Sequence, residues 1–273
     1  MELAILSDEI SLDLEEAFRI GADLGFRKYE IRCMDDYEHR VPNFNSGRYE
    51  RILELVEAGT IEVTAVTPGT FKIDLSDTDA LRREMDEVLP KACEMAREMK
   101  SPTLITFGFM RERGVTSDTI VSALKEAGHI AGEYNLKLAV ENEPGSYCDT
   151  GEKTAAIVKA IGMDHVGINW DPANAVVCGE AGFPIGYEAV LPYLQNVHIK
   201  DAIPIPPDKW ENRLIGDGGV NWLGQLKHLF KDRPVEHLTL ETHVFPLIES
   251  TKEDLRRLKL LFEHAQKLAN DSD

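Results

Sequence analysis

The strongest constraint on this chain is a recurrence. Eight short β-like runs, each followed by a polar turn and an amphipathic stretch, begin at intervals of roughly 25–40 residues, the size of one βα unit. The runs are Leu3–Leu6, Lys28–Arg32, Glu62–Val66, Thr103–Phe107, Leu136–Glu141, Val166–Asp171, Asn196–Lys200 and His237–Glu241. Strands alternating with helices run parallel, because a parallel neighbour is reached only through a crossover. Eight such units predict a closed (β/α)8 barrel, and 273 residues is a length such a barrel fills as one domain spanning 1–273. An open doubly wound sheet is the other arrangement that strict alternation allows. Its usual phosphate turn is missing: Ser7-Asp8-Glu9-Ile10 follows the first run where a glycine-rich fingerprint would stand, and no GxxxxGK[ST] occurs.

The intervening stretches carry helical spacing. Leu14, Ala17, Phe18 and Gly21 fall at i, i+3, i+4 and i+7, and Ile52, Leu55 and Val56 repeat the pattern with Gly59 as terminator. Leu81, Met85, Val88 and Leu89 mark a third helix, which Ala92 and Ala96 extend past a kink expected at Pro90. Further helices are expected from near Ser117, Thr150, Pro184 and Asn221. Ser250 and Glu253 form a capping-box signature that predicts the start of the last helix before Leu255, Leu258 and Leu261.

Composition narrows the partners. There are 30 basic and 48 acidic residues, a formal charge of −18, which argues against nucleic acid and against an anionic membrane surface. No apolar run reaches the roughly 20 residues of a membrane span, and Met-Glu-Leu-Ala-Ile-Leu-Ser reads as a strand, not a signal peptide. Cys33, Cys93, Cys148 and Cys178 are widely spread with no CxxC, as expected for reduced thiols in a cytoplasmic protein.

In a barrel, function sits at the C-terminal ends of the strands. Four consecutive runs each end on an acid or an imidazole: Ala-Val-Glu141-Asn-Glu143-Pro, Asn-Trp-Asp171-Pro-Ala-Asn174, Val-His198-Ile-Lys200-Asp201 and Leu-Glu241-Thr-His243. A single acid after a strand is commonly a helix cap. Four in series predict a shared site, and three carboxylates with one imidazole repel one another unless a cation joins them. That oxygen-rich set suits Mn²⁺, Mg²⁺, Co²⁺ or Zn²⁺. Residues two apart share a strand face, so Glu141 pairs with Glu143, His198 with Lys200 and Glu241 with His243, while Asp201 points away, toward a supporting contact or a helix cap.

These phrases, together with Gly216-Asp217-Gly218-Gly219-Val220-Asn221-Trp222, resemble the sugar phosphate isomerase/epimerase family, the xylose isomerase-like TIM barrels. The resemblance follows strand order over nearly the whole chain, with its specific motifs confined to residues 136–243. It implies one divalent metal held by Glu141, Asp171, His198 and Glu241. It also implies catalysis by Glu141 and Glu241, which would move a proton beside a carbonyl through an enediolate, on a small sugar or polyhydroxy ketone. Asn174, Lys200, His243 and Glu30 are the expected substrate contacts, and pairing of barrels through rim loops would fit such a family. Many epimerases of this group carry histidine where Asn174 stands, and Asn174 cannot shuttle a proton. A metal-dependent dehydratase acting on a cyclic polyol or keto acid is therefore the second expectation, and a noncatalytic metal- or sugar-binding barrel the third. DNA-repair relatives use more histidines than this chain offers.

Weaker signals lie elsewhere. Glu30 and Arg32 share a face and either line the pocket or form an ion pair below its rim. Phe71 is a candidate to cover the substrate, with core packing as the alternative, and an aromatic of Phe107-Gly108-Phe109 is a candidate sugar-stacking wall. The Gly216–Gly219 loop is expected to act as a lid or turn rather than a phosphate cradle, because Asp217 sits inside it.

Overall fold

A computed structural model describes residues 1–207, 209–232 and 234–270. Among the described residues, eight parallel strands close on themselves in sequence order: β1 (Glu2–Leu6), β2 (Lys28–Ile31), β3 (Glu62–Val66), β4 (Thr103–Thr106), β5 (Lys137–Glu141), β6 (Val166–Trp170), β7 (Leu194–Ile199) and β8 (His237–Leu240). Closure is made by β1 against β8, with Leu3 opposite Leu238 and Ile5 opposite Leu240. The expected single-domain (β/α)8 TIM barrel is the architecture found, and the open sheet is not.

Strand periodicity divides the layers. Leu138 and Val140, Ile168 and Trp170, Val197 and Ile199, and Leu238 and Leu240 are buried in the main apolar core between sheet and helices. The alternate positions are Ala139 and Glu141, Asn169 and Asp171, Asn196 and His198, and Thr239 and Glu241, all buried. Below the rim of β3 to β5 the second face is apolar, with Ala65, Ile105 and Ala139 forming their own cluster. On β6 to β8 it is polar. One half of the barrel is thus plugged with hydrocarbon and the other wired with hydrogen bonds. Truncating a fully buried core residue such as Leu138 to alanine would cost about 2–5 kcal/mol.

Helices start and stop for local reasons. Asp13 caps the helix Leu14–Leu24 by accepting from the Glu16 amide, and Gly25 ends it at φ +94°. The helix expected to bend at Pro90 runs as Thr78–Arg83, a widened turn Glu84–Val88, and Leu89–Glu98. The distortion precedes Pro90 because the proline ring disturbs the turn before it. The last helix is Leu247–Asn270, so Ser250 does not cap it. The Ser250 amide already donates to the Pro246 carbonyl, and Glu253 pairs with Arg256 and Arg257. The helix begins one turn early, after Pro246. No described helix is long and apolar enough to cross a membrane.

Two antiparallel hairpins rise beyond the strand ends. One pairs Cys33–Met34 with Asp36–Arg40 after β2, and the other pairs Asp201–Ile205 with Lys209–Arg213 after β7. They raise the wall around the C-terminal mouth.

Candidate active site

The ends of β5 to β8 bring Glu141, Asp171, His198 and Glu241 together. All four are buried, and each offers one ligand atom within 4.8 Å of the others. Asp171 plays two parts. Its Oδ1 caps the helix Pro172–Val177 by accepting from the Ala173 and Asn174 amides, while its Oδ2 faces Lys200 Nζ at 2.6 Å. The cap and the site are therefore the same residue. Asn142 clamps the Asp171 backbone from β5, accepting from its amide and donating to its carbonyl.

His198 is held from below. Its Nε2 donates to Glu30 at 3.0 Å, leaving Nδ1 facing Glu141 at 3.4 Å and Glu241 at 3.3 Å. Glu30 corrects the sequence expectation. It is fully buried, accepts also from Thr67 and Asn196, and lies beneath the pocket, so it meets the imidazole and not a substrate. The physical reason is depth: Glu30 and Arg32 share a face, but Glu30 lies one level lower.

Arg32 reaches the rim. Its Nη1 donates to Glu241 at 2.7 Å, while Nε and Nη2 donate to Asp8 and Glu9. His243, at φ +52°, turns back so that its ring bridges Glu9 at 2.8 Å and Glu241 at 3.1 Å. Lys200 bridges Asp171 and Glu241, the latter at 3.2 Å. Asn174 donates to Glu143, and Glu143 pairs with Lys72 at 2.6 Å, away from the four-residue cluster.

These contacts set the charges. Burial opposes ionisation of Glu241, but Lys200, His243 and His198 outweigh it and hold its carboxyl well below the usual range. Burial likewise opposes a charge on His243, yet Glu241 and Glu9 push it up to about 9. For Asp171 burial prevails over Lys200 and raises the carboxyl.

The donor set fits a divalent cation. Asp8, Glu9, Glu30, Glu141, Asp171 and Glu241 are six buried carboxylates, and among the described residues they face only Arg32 and Lys200 as permanent buried cations. Such an excess of buried negative charge is costly unless protons or a metal offset it. Oxygen ligands with a single nitrogen, the imidazole oriented through its far nitrogen by a carboxylate, match Mn²⁺, Mg²⁺, Co²⁺ or Zn²⁺.

Above the cluster opens a cavity of about 420 Å³ lined by Glu141, His198, Lys200, Glu241, Asn174 and His243 among others. Tyr37, Trp210 and Phe245, exposed by 49%, 50% and 72%, stand around it. A larger hollow of about 760 Å³ lies at the opposite barrel end, but its Lys28, Glu2 and Glu62 pair with one another and no imidazole joins them. Phe71 and Phe109 do not cover the cavity. Both are fully buried and stack at 4.8 Å. Asp201 turns away from the centre, and its carboxylate accepts from the amides of Ala202, Gly216, Gly218 and Val220. The Gly216 and Gly218 amides are thereby engaged, and those of Asp217 and Gly219 donate to the Leu214 and Ala202 carbonyls, so the loop is a braced turn with little left for a phosphate.

A model of the xylose isomerase-like TIM barrels matches residues 18–261. The chain belongs to that family. It is similar to an uncharacterized protein of Methanocaldococcus jannaschii, 24% identical over 83% of this chain and 77% of the relative. Among solved structures it is similar to an L-ribulose 3-epimerase, with a TM-score of 0.79 at 15% identity over 100% of this chain and 98% of that one. It is also similar to a probable 3-DHS dehydratase from Bacillus anthracis, with a TM-score of 0.76 at 15% identity over 95% and 99%. At these identities the likeness shows the fold. Similar barrels include one with a bound zinc atom and one from Mycobacterium smegmatis in complex with magnesium.

Proposed function

We propose that this xylose isomerase-like barrel is a divalent-metal-dependent isomerase or epimerase of a small sugar or polyhydroxy ketone, working in the cytoplasm. The observation that carries the reading is the convergence of Glu141, Asp171, His198 and Glu241 beneath an open cavity. Those four would hold the ion, which when bound polarises a substrate carbonyl and steadies the charge of an enediolate.

The remaining work falls to the chain's own groups. Glu141 has His198 as its one ionic contact among the described residues, which makes it the freer base to remove a proton beside the carbonyl. Glu241 is held on Oε1 by Arg32 and His243 and on Oε2 by Lys200 and His198. It keeps its charge and position, and it receives a proton for return only through those partners. Lys200 is placed to donate to a substrate oxygen. Tyr37, Trp210 and Phe245 limit water at the mouth.

A dehydratase is the second reading, and Asn174 favours it. Asn174 is engaged with the Asn142 carbonyl and Glu143, and offers no proton to a second face of the substrate. Elimination of water needs only the first proton removal and departure of a hydroxyl. The test is incubation of the manganese-loaded protein with ketoses and keto acids in D₂O. Isomerase or epimerase activity adds deuterium at unchanged composition. Dehydration removes one water. Neither change in any compound, with Glu141→Gln binding the same compounds as wild type, would leave a noncatalytic barrel.

A further inference from the structure

Four permanent cations line the cavity: Arg32, Arg40, Lys72 and Lys200. Three are answered by carboxylates. Arg32 meets Asp8, Glu9 and Glu241, Lys200 meets Asp171 and Glu241, and Lys72 meets Glu143. Arg40 is the exception. Among the described residues no carboxylate lies within 4.0 Å of its guanidinium. This half-buried guanidinium at a pocket wall is thus clear of every carboxylate among the described residues.

Its position is built. Arg40 closes the hairpin after β2, in register with Cys33. It also passes directly over Gly69. A Cβ there would stand 2.3 Å from Arg40 Nη1 and 3.0 Å from Cδ, so a side chain at position 69, already strained at φ +77°, would push the guanidinium from this place.

We infer that Arg40 receives the carboxylate of the substrate, which makes that substrate a small polyhydroxy or keto acid anion and not a neutral sugar. The inference rests on the proposed proton-transfer reading and narrows its substrate class. A guanidinium presents a planar fork that takes a carboxylate through two parallel hydrogen bonds. A phosphate ester is the other oxyanion that could meet it. Phosphates are usually held by backbone amides, and those of the glycine-rich loop are bound to Asp201 and to the Leu214 and Ala202 carbonyls. Arg32 and Lys200, together with a divalent ion at the centre, offset the cavity's glutamates, so an anion is not repelled from the pocket.

The test is calorimetric titration of the manganese-loaded protein with matched pairs: D-glucuronate and D-glucose, D-galacturonate and D-galactose, hydroxypyruvate and dihydroxyacetone. Glucose 6-phosphate is included as the ester control. At least one acid should bind about tenfold more tightly than its neutral partner, as a charge-assisted pair of hydrogen bonds requires. Arg40→Gln should bring that ratio to within about twofold, and Arg40→Lys, which keeps the charge and loses the fork, should reduce it at least about threefold. Arg40→Lys decides the matter alone should Arg40→Gln not fold. The inference is overturned if no acid outbinds its partner, if the phosphate ester outbinds every acid, or if the preference survives both substitutions. Deuterium uptake is scored separately. An Arg40-dependent preference without uptake removes the proton-transfer reading and leaves this one. Uptake into neutral ketoses without any acid preference does the reverse.

Discussion

Replacing Glu30 tests how the imidazole of the centre is held. Glu30 is fully buried and accepts from His198 Nε2 at 3.0 Å, Thr67 Oγ1 at 2.5 Å and Asn196 Nδ2 at 3.3 Å. An acceptor on Nε2 places the ring proton there and turns the Nδ1 lone pair toward Glu141 and Glu241. Glu30→Gln preserves shape but has one carbonyl oxygen. His198 and Asn196 share Oε2, while Thr67 donates to Oε1. With the carbonyl at the Oε2 place the new amide faces Thr67, whose hydroxyl can rotate to accept, and the loss is that of the carboxylate charge behind His198. Affinity for Mn²⁺ or Zn²⁺ should fall about 10–100-fold, the usual effect of losing a carboxylate behind a ligating histidine, or about 1.4–2.8 kcal/mol. Competition against a chromophoric chelator measures it on metal-stripped protein. Glu30→Asp separates position from charge, because it keeps the charge but withdraws the oxygens by a methylene. A similar loss in Glu30→Asp supports positioning. Wild-type affinity in a folded Glu30→Gln would refute the reasoning outright.

Other expectations concern the centre, the braced loop and one buried acid. Glu141→Gln and Asp171→Asn should each abolish stoichiometric metal uptake or weaken it sharply, read by elemental mass spectrometry after gel filtration. Asp201→Ala removes the acceptor of four backbone amides and should lower stability by roughly 3 kcal/mol or more, with new proteolytic cuts between residues 214 and 221. Asp254 is pushed up to about 6 by burial, which the Ile215 amide only partly offsets. Its folded form therefore prefers the proton, and the contribution is intact below pH 4 and lost as pH rises through 6. Denaturant melts should show up to about 3 kcal/mol less stability from this group by pH 8, and Asp254→Asn should flatten that slope.

The barrel was legible because its two periods are clean. Apolar residues two apart mark faces that must be covered, and helices three or four apart supply the cover, so all eight strands fall within a few residues of their expected bounds. The four converging residues were legible for the same reason: each stands at, or within one residue of, the C-terminal end of its strand. Depth was not legible, since alternation assigns a face and says nothing of level, and Glu30 was placed against substrate when it supports His198. Asp8 and Glu9 were noticed only for the fingerprint they replace. Their partner Arg32 was in view, but its bond to Glu241 crosses 209 residues. The hairpins carry no alternation to read, since Asp36–Arg40 is polar throughout, and with them Tyr37, Arg40 and Trp210 went unassigned to the mouth. Phe71 reads in sequence as a cover and Phe107 or Phe109 as a stacking wall, and of the three only Phe107 lines the cavity. The positive φ values of Phe71 and Phe109 turn each inward onto the other.

The ties that hold Glu241 join the two ends of the chain. Arg32 and Glu9 come from the first two βα units, Glu241 and His243 from the last, and Glu9 and His243 are 234 residues apart. A ribosome must therefore release the chain beyond residue 243 before this constellation exists. Any nascent, nicked or truncated form lacking the eighth strand lacks Glu241, with its bonds to Arg32 and His243, and cannot complete the centre. Under the proposed metal reading, occupancy by the ion would be a readout of barrel closure and would discriminate finished molecules from unfinished ones.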